Sequence, residues 1–217
     1  MSKIFFISGL GANEQAFSAL GDLPLEKVMV QWSPALEDES MENYAKRIIK
    51  DYQISEEDWV AGLSFGGFIA QRIAYILSHK QVILISSFRT KNDIRPLFRM
   101  GLKTYLYKLM PPIRIPVLDS KIAYFLNCGS EESLPVLMEM LEATDYKLLK
   151  WSLEQIANAP PCKNEGLTVH NIIGNSDRIL KLWKNDHTTI IEEGTHFMVH
   201  EKADQVTKVL SQILSSS

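Results

Sequence analysis

The chain has 217 residues, of which 46% are apolar, which suits one domain of ordinary size with a sizeable core. The formal net charge of −3 excludes the strongly basic balance that is typical of nucleic-acid-binding proteins. No apolar stretch is long enough to span a membrane, and the run that follows Lys3 is too short for the core of a signal peptide. We therefore expect a cytoplasmic protein in which Cys128 and Cys162 are free thiols.

Short apolar runs alternate with helical patterns along the chain. Six of the runs predict strands, at 3–8, 28–32, 59–63, 82–85, 168–173 and 189–191. Several of them lack polar alternation, which indicates strands that are buried on both faces. Helices with an apolar stripe are predicted at 41–52, capped by Ser40, at 65–77 and at 203–214. The alternation predicts an α/β fold, a doubly wound, mostly parallel sheet of about six strands with helices on both faces.

One segment interrupts this alternation. From Phe88 to about Pro160 the sequence contains no convincing strand, is rich in leucine, methionine and tyrosine, and has prolines at positions 111, 112 and 116. We expect this segment to be a mostly helical insertion between two strands of the sheet. It would occupy about 89–160 of a single domain that covers residues 1–217.

A candidate nucleophile follows the third predicted strand. The sequence Gly62-Leu63-Ser64-Phe65-Gly66 fits the pattern G-x-S-x-G, and its serine stands where a strand-like run passes into a helix-like run. Such a sharp turn exposes the hydroxyl above the edge of the sheet, and glycines flank the serine because side chains there would collide. The N-terminus of the new helix favours an oxyanion at this place. The alternative interpretation is an ordinary glycine-rich turn with a capping serine.

A serine hydroxyl needs a neighbouring base to take its proton. Of the five histidines, His196 is the candidate, because it lies in a loop after the last predicted strand, at the sheet edge where Ser64 is also expected. His200 is four residues further on, so that a zinc-binding histidine pair is the competing hypothesis. The segment between the two histidines lacks the glutamate of a zinc-protease helix, and the sequence suggests no third ligand.

The acid that orients the histidine should come from another strand end. Asp177 directly follows the buried strand at 168–173, and its alternative interpretation is an ordinary turn aspartate. Asp93, after the strand at 82–85, is the alternative acid. We favour Asp177, because the chain order Ser64, Asp177, His196 then puts each residue at the end of its own strand.

These motifs resemble those of the α/β-hydrolase superfamily, and the resemblance covers residues 3 to about 215 except the insertion. Ser8-Gly9-Leu10-Gly11 is similar to the segment of the oxyanion hole, although Ser8 replaces the usual histidine, and residues 62–67 resemble the nucleophile elbow. The segments 174–177 and 194–197 resemble the acid and histidine loops. The two strands that open larger members are absent, and the helix after Asp177 is expected to shrink to a single turn.

The resemblance implies a serine hydrolase that cleaves a small-molecule carboxylic ester or thioester. Ser64 would attack the carbonyl, His196 would take its proton and Asp177 would orient the imidazole. The backbone N–H groups of Leu10 and Phe65 would form the oxyanion hole. The family also implies that the insertion is a helical lid, and it implies no metal and no organic cofactor.

Two other classes of function remain open at this point. The chain could be a non-catalytic binding protein on a hydrolase fold, since a fold does not dictate a function. It could also be a lyase, a C–C hydrolase or a peroxidase that uses the same three residues. The sequence does not identify the acyl group or the leaving group.

The charges of the insertion are unevenly distributed, with a basic first half and an acidic second half. Arg95, Arg99 and Lys103 are spaced four apart and would form one stripe of a helix. Such a stripe could guide anionic substrates, or it could rest on an anionic membrane surface without a transmembrane segment. We favour a solvated face whose charges are neutralised by the acidic half.

Overall fold

The computed structural model describes residues 2–104, 109, 119–128, 130–162 and 166–216. Within these residues the chain forms one parallel sheet with the strand order β2-β1-β3-β4-β5-β6. The strands are β1 (Lys3–Ile7), β2 (Glu26–Val30), β3 (Trp59–Leu63), β4 (Gln81–Ile85), β5 (Thr168–Gly174) and β6 (Thr188–Ile191). The predicted α/β fold with about six strands is therefore confirmed.

The order of the strands creates a crevice at one edge of the sheet. The chain passes from β1 outward to β2, then returns across β1 to β3 and continues in the opposite direction to β6. The loops that follow β1 and β3 therefore diverge, and such a switch point is where open α/β sheets bind ligands. Ser8 leaves β1 and Ser64 leaves β3 at this edge.

Two apolar clusters cover the two faces of the sheet, since alternate residues of each strand point to opposite sides. Val82 and Leu84 of β4 join the cluster that also contains side chains of the first two helices, whereas Ile83 and Ile85 join the cluster that contains the last helix. These helices are α1 (Met41–Tyr52), α2 (Phe65–Ile76) and α8 (Ala203–Ser215). The Ser40 side chain accepts a hydrogen bond from the Asn43 N–H and caps α1 as predicted.

Helices occupy the described part of the segment between β4 and β5. They are α3 (Pro96–Lys103), α4 (Asp119–Leu126), α5 (Ser133–Glu142) and α6 (Tyr146–Asn158). Helix α6 is fixed to the loop before α1, because the Trp151 indole N–H donates to the Glu39 carbonyl at 2.7 Å. The prolines at positions 111, 112 and 116, and part of the basic first half of the insertion, lie outside the described residues.

The predicted single helical turn between Asp177 and β6 is wrong, because residues 175–187 contain no helix. This connection is held by hydrogen bonds to its surroundings instead. The Trp183 indole N–H donates to the Ser87 carbonyl at 3.0 Å. The side-chain amide of the buried Asn171 donates to the Trp183 carbonyl at 2.9 Å. A short helix (α7, Met198–Glu201) follows the histidine loop before α8.

Gly66 offers a test of how closely the elbow approaches β1. A Cβ atom at Gly66 would collide with the carbonyl oxygens of Ile7 and Ser8, whereas one at Gly101 in α3 would meet nothing within 4 Å. Gly66→Ala should therefore lower the free energy of unfolding by about 3 kcal/mol, because backbone atoms cannot yield like a flexible side chain. Gly101→Ala is the matched control and should raise it by about 0.5–1 kcal/mol through helix propensity. Urea unfolding measures both, and an equally stable Gly66→Ala protein would contradict the close approach.

Candidate active site

Ser64 occupies a strained turn between β3 and α2. Its backbone has φ 51° and ψ −119°, in a region that side chains rarely adopt, and its N–H donates to the Ile85 carbonyl of β4 at 3.0 Å. The turn is sharp enough that a Cβ atom at Gly62 would collide with the backbone of Gly66 and Gly67. The turn therefore needs glycine at position 62, and the geometry is that of the predicted strand–turn–helix elbow.

A chain of hydrogen bonds links Ser64 to His196 and Asp177. The distance from Ser64 Oγ to His196 Nε2 is 3.0 Å, and the distance from His196 Nδ1 to Asp177 Oδ2 is 2.8 Å. Because an ionised carboxylate only accepts, Nδ1 carries the proton and donates to Asp177. Nε2 is then free to accept from the serine hydroxyl. The His196 and Asp177 side chains are both buried, which strengthens these interactions.

The Asp177 carboxylate is held in its ionised form by its surroundings. Burial by itself would raise the pKa of Asp177, but the His196 imidazole and the N–H groups of Leu180 and Ile179 outweigh burial and lower the pKa. Oδ1 accepts from the Ile179 N–H at 2.7 Å and from the Leu180 N–H at 2.8 Å. The oxygen that faces His196 is thereby fixed in place.

Arg95 stabilises the same loop from the other side. Its guanidinium donates to the Asp177 carbonyl at 2.9 Å and to the Leu180 carbonyl at 3.0 Å. The predicted basic stripe is therefore wrong for Arg95, which precedes α3 in an extended conformation and points to the acid loop. Arg99 donates to the Asn92 side chain at 3.1 Å, and Lys103 is exposed.

Asp93, the alternative acid, has a different position. Its carboxylate accepts from the Arg89 guanidinium at 3.3 Å and from the Thr90 N–H at 3.2 Å, and it completes a capping box at a short 3-10 turn. Asp177 is thus the carboxylate that contacts His196.

The loop that carries His196 is tied to the helical insertion by the Glu201 carboxylate. The Glu201 carboxylate accepts from the Thr195 hydroxyl at 2.9 Å and from the Ser133 hydroxyl at 2.8 Å. The histidine loop and the first residue of α5 are therefore hydrogen-bonded to the same side chain. The Cys128 thiol also donates to the Ser133 oxygen at 3.2 Å, and burial raises the pKa of Cys128. The network fixes the backbone beside His196.

Two different segments carry Leu10 and Phe65, the predicted donors of an oxyanion hole. Phe65 is the first residue of α2, and Leu10 lies in the loop that follows β1. That loop touches the elbow, since a Cβ atom at Gly9 would lie 3.3 Å from Ser64 Cβ. Leu10, Phe65 and Ser64 line the same cavity.

This cavity has a volume of about 340 Å³ and an apolar wall. The insertion contributes much of the wall, through Phe98, Leu102, Phe125, Leu137, Met140 and Leu153. Ser64, His196, Thr144 and Tyr146 are the polar side chains in the lining, and no Asp, Glu, Lys or Arg of the described residues reaches it. The volume lies within the range of small-molecule sites.

Solved structures resemble the whole chain. They include a mutant of the N-acyl homoserine lactonase AidH in complex with N-hexanoyl homoserine, which is 14% identical with a TM-score of 0.76 over 99% of this chain and 89% of that chain. They also include a thermophilic esterase from Thermogutta terrifontis, with 13% identity and a TM-score of 0.73 over 100% and 90% of the two chains. An esterase from Exiguobacterium antarcticum has 10% identity and a TM-score of 0.72 over 99% and 92%. The chain has the α/β-hydrolase fold. No protein-family model and no curated protein sequence matches it.

The α/β-hydrolase fold explains why the predicted site residues meet, but three contacts of the site were missed by the sequence analysis. Glu201 has no sequence signal, because it acts through Thr195 and a distant serine. The extended conformation of Arg95 was signalled by Pro96, since the residue before a proline disfavours the helical region. Trp32, which touches the elbow, is the last residue of the strand predicted at 28–32, and this position was its only signal.

The described residues offer no ligand set for the competing hypothesis of a zinc site. No group of three or more His, Cys, Asp or Glu side chains there could hold a metal ion. His200 stacks on Phe197 with ring centroids 5.4 Å apart. Among the same residues, no helix has both the length and the apolar character needed to cross a membrane.

The lowered pKa of Asp177 predicts a specific pH dependence of stability. An unfolded aspartate has a pKa of about 3.9, so the lower folded pKa contributes stability that is present above this value and is lost as the pH falls through the folded pKa. Asp177→Asn should therefore be less stable than the wild type at pH 6, and the difference should shrink toward pH 3. Urea unfolding across this range measures it, with the exposed Asp186→Asn as a control for the loss of one carboxylate. A constant difference across the range would contradict the assignment.

Proposed function

We propose that this protein is a serine hydrolase that cleaves carboxylic esters or thioesters with an apolar acyl group. The observation that carries the proposal is the hydrogen-bonded chain from Ser64 through His196 to Asp177, which opens into an apolar cavity. The elbow geometry of Ser64 and the solved structures of esterases and a lactonase with the same fold support it. An ester, a thioester and a lactone share the carbonyl that such a nucleophile attacks.

The proposed reaction passes through an acyl-enzyme. Ser64 Oγ attacks the carbonyl carbon while its proton moves to His196 Nε2, and Asp177 stabilises the imidazolium through the Nδ1 proton. The imidazolium then protonates the leaving group. Water then attacks the acyl-enzyme while His196 takes its proton, and the imidazolium returns this proton to Ser64 Oγ as the bond to the acyl group breaks and the carboxylic acid leaves. No metal or organic cofactor takes part in this scheme.

The developing oxyanion would be stabilised by the N–H groups of Leu10 and Phe65. Both residues line the cavity together with Ser64, and Phe65 N–H belongs to the first turn of α2, where the helix dipole favours negative charge.

The proposed acyl group is uncharged, because no Asp, Glu, Lys or Arg side chain lies in the described wall of the cavity. Burial of each methylene contributes about 0.8 kcal/mol, so chain length should matter strongly. Arg95 is engaged with the acid loop, which argues against its part in guiding anionic substrates. The role of the insertion as a lid, a contact of its basic half with membranes and a cytoplasmic location stay predictions.

Replacement of Ser64 tests the proposal directly. The wild type should hydrolyse p-nitrophenyl esters and react with a fluorophosphonate probe, and Ser64→Ala should fold normally but lose turnover by about a million-fold, because the nucleophile is absent. Rates, labelling and thermal unfolding are the measurements. A wild type that neither turns over nor reacts with the probe would favour the binding-protein alternative, and an active Ser64→Ala protein would exclude Ser64 as the nucleophile.

The cavity predicts a preference for longer acyl chains. For p-nitrophenyl esters from acetyl upward, kcat/KM should rise about fourfold per methylene until the cavity is filled. Ile122→Trp, in the wall, should reduce kcat/KM for the longest good substrate by about tenfold and leave the acetyl ester nearly unchanged. The matched control is Leu97→Trp, on the exposed surface of α3, which should keep the wild-type profile. An identical profile for Ile122→Trp would remove the acyl chain from this cavity.

A further inference from the structure

The two proposed donors of the oxyanion hole belong to separate segments of the chain. Leu10 lies in a loop after β1, and Phe65 begins α2 after β3. An oxyanion hole works only if both N–H groups lie within hydrogen-bond distance of one oxygen atom. A contact that joins the two segments would therefore control the reaction without touching the substrate.

Trp32 makes contacts with both segments. Its indole N–H donates to Ser8 Oγ at 2.6 Å, at the start of the loop that carries Leu10. Its ring stacks on the ring of Phe65, with centroids 5.9 Å apart and an angle of 20° between the planes. One side chain from the loop after β2 thus contacts both segments that carry the proposed donors.

Ser8 transmits this contact along its own loop. The Ser8 hydroxyl is buried, accepts from Trp32 and donates to the Ala12 carbonyl at 2.9 Å. The same loop is closed by the Ala12 N–H, which donates to the Gly9 carbonyl at 3.1 Å. The Ser8 hydroxyl therefore joins the two ends of the loop around Leu10 and also binds the indole of Trp32.

Trp32 is itself held on its other side. Its ring packs on Tyr44 with centroids 6.0 Å apart, and the Tyr44 hydroxyl donates to the Ser33 carbonyl at 2.7 Å. The Arg47 guanidinium lies over the Tyr44 ring, 4.7 Å from its centroid. The indole is thus supported by α1 and cannot shift freely with the loop.

We propose that Trp32 and Ser8 are positioning residues that fix the Leu10 and Phe65 N–H groups at the spacing required by the oxyanion. This inference rests on the proposed function, because it concerns the same reaction. Ser8 stands where the resemblance noted in the sequence implies a histidine, and its hydroxyl couples the segment to an indole. The contact should act on the transition state and not on the bound substrate, because it moves only groups that face the oxyanion.

The test compares a ligand that forms an oxyanion with one that does not. With an alkyl trifluoromethyl ketone, Ser64 Oγ adds to the carbonyl carbon, the serine proton passes to His196 and the ketone oxygen becomes the oxyanion. An amide of the same chain length reports ground-state affinity. Trp32→Phe keeps an aromatic ring at this position but removes the indole N–H, and Ser8→Ala removes the hydroxyl.

We expect each variant to lower kcat about tenfold and to weaken binding of the trifluoromethyl ketone by a similar factor. KM and the affinity for the amide should stay within about twofold of the wild-type values. This loss is smaller than the hundredfold or more that follows removal of a whole donor. The double variant should have a kcat no lower than that of the less active single variant, because the two residues act as one unit.

Tyr52→Phe is the control for a loss of stability. The Tyr52 hydroxyl accepts from the Gln31 N–H at 2.7 Å, beside Trp32, but belongs to the end of α1 and not to the site. Tyr52→Phe should lower the unfolding temperature and leave the ratio of ketone affinity to amide affinity unchanged. If Trp32→Phe and Ser8→Ala behave like Tyr52→Phe, their contact is only structural and the inference is overturned. If the wild type neither hydrolyses esters nor binds the ketone, the proposed function fails, and this inference fails with it.

Discussion

The close approach of the elbow to the end of β1 is the constraint on which the site depends. Gly66 lies so near the carbonyl oxygens of Ile7 and Ser8 that no side chain fits between them. This approach brings α2 onto the sheet and places Ser64 at the switch point of the strand order. It also brings the loop after β1 beside Ser64, where one N–H group of the proposed oxyanion hole lies. Packing in the core and the position of the proposed nucleophile are therefore set by the same backbone contact.

The second constraint is the way in which Asp177 is held. Its carboxylate is buried, and it accepts from two backbone N–H groups and the imidazole, while Arg95 binds the carbonyl oxygens of the loop. A buried carboxylate without these donors would tend to take up a proton and would then orient the imidazole poorly. The insertion takes part in this arrangement, because Arg95 immediately precedes α3, so the acid loop and the insertion support each other.

The sequence was sufficient for the sheet, because buried parallel strands require continuous apolar runs and the elbow requires its glycines. It was also sufficient to name the three side chains that meet, since each follows its own strand end. It was insufficient for Arg95, where the four-residue spacing suggested a helical stripe although Pro96 starts the helix one residue later. It failed for the connection before β6, where tertiary hydrogen bonds of Trp183 and Asn171 replace a helix. Contacts between distant segments leave no local pattern in a sequence.

The positive φ of Ser64 has a consequence for how this protein can change over time. A residue with a side chain in this region of the Ramachandran plot costs about 1–3 kcal/mol, a cost that glycine does not have. At this position, selection for stability alone would favour glycine and would remove the hydroxyl. A serine at this position therefore lowers folding stability relative to glycine, and it supplies the hydroxyl that the proposed function requires. For the proposed nucleophile, thermostability and reactivity therefore favour different amino acids at the same position.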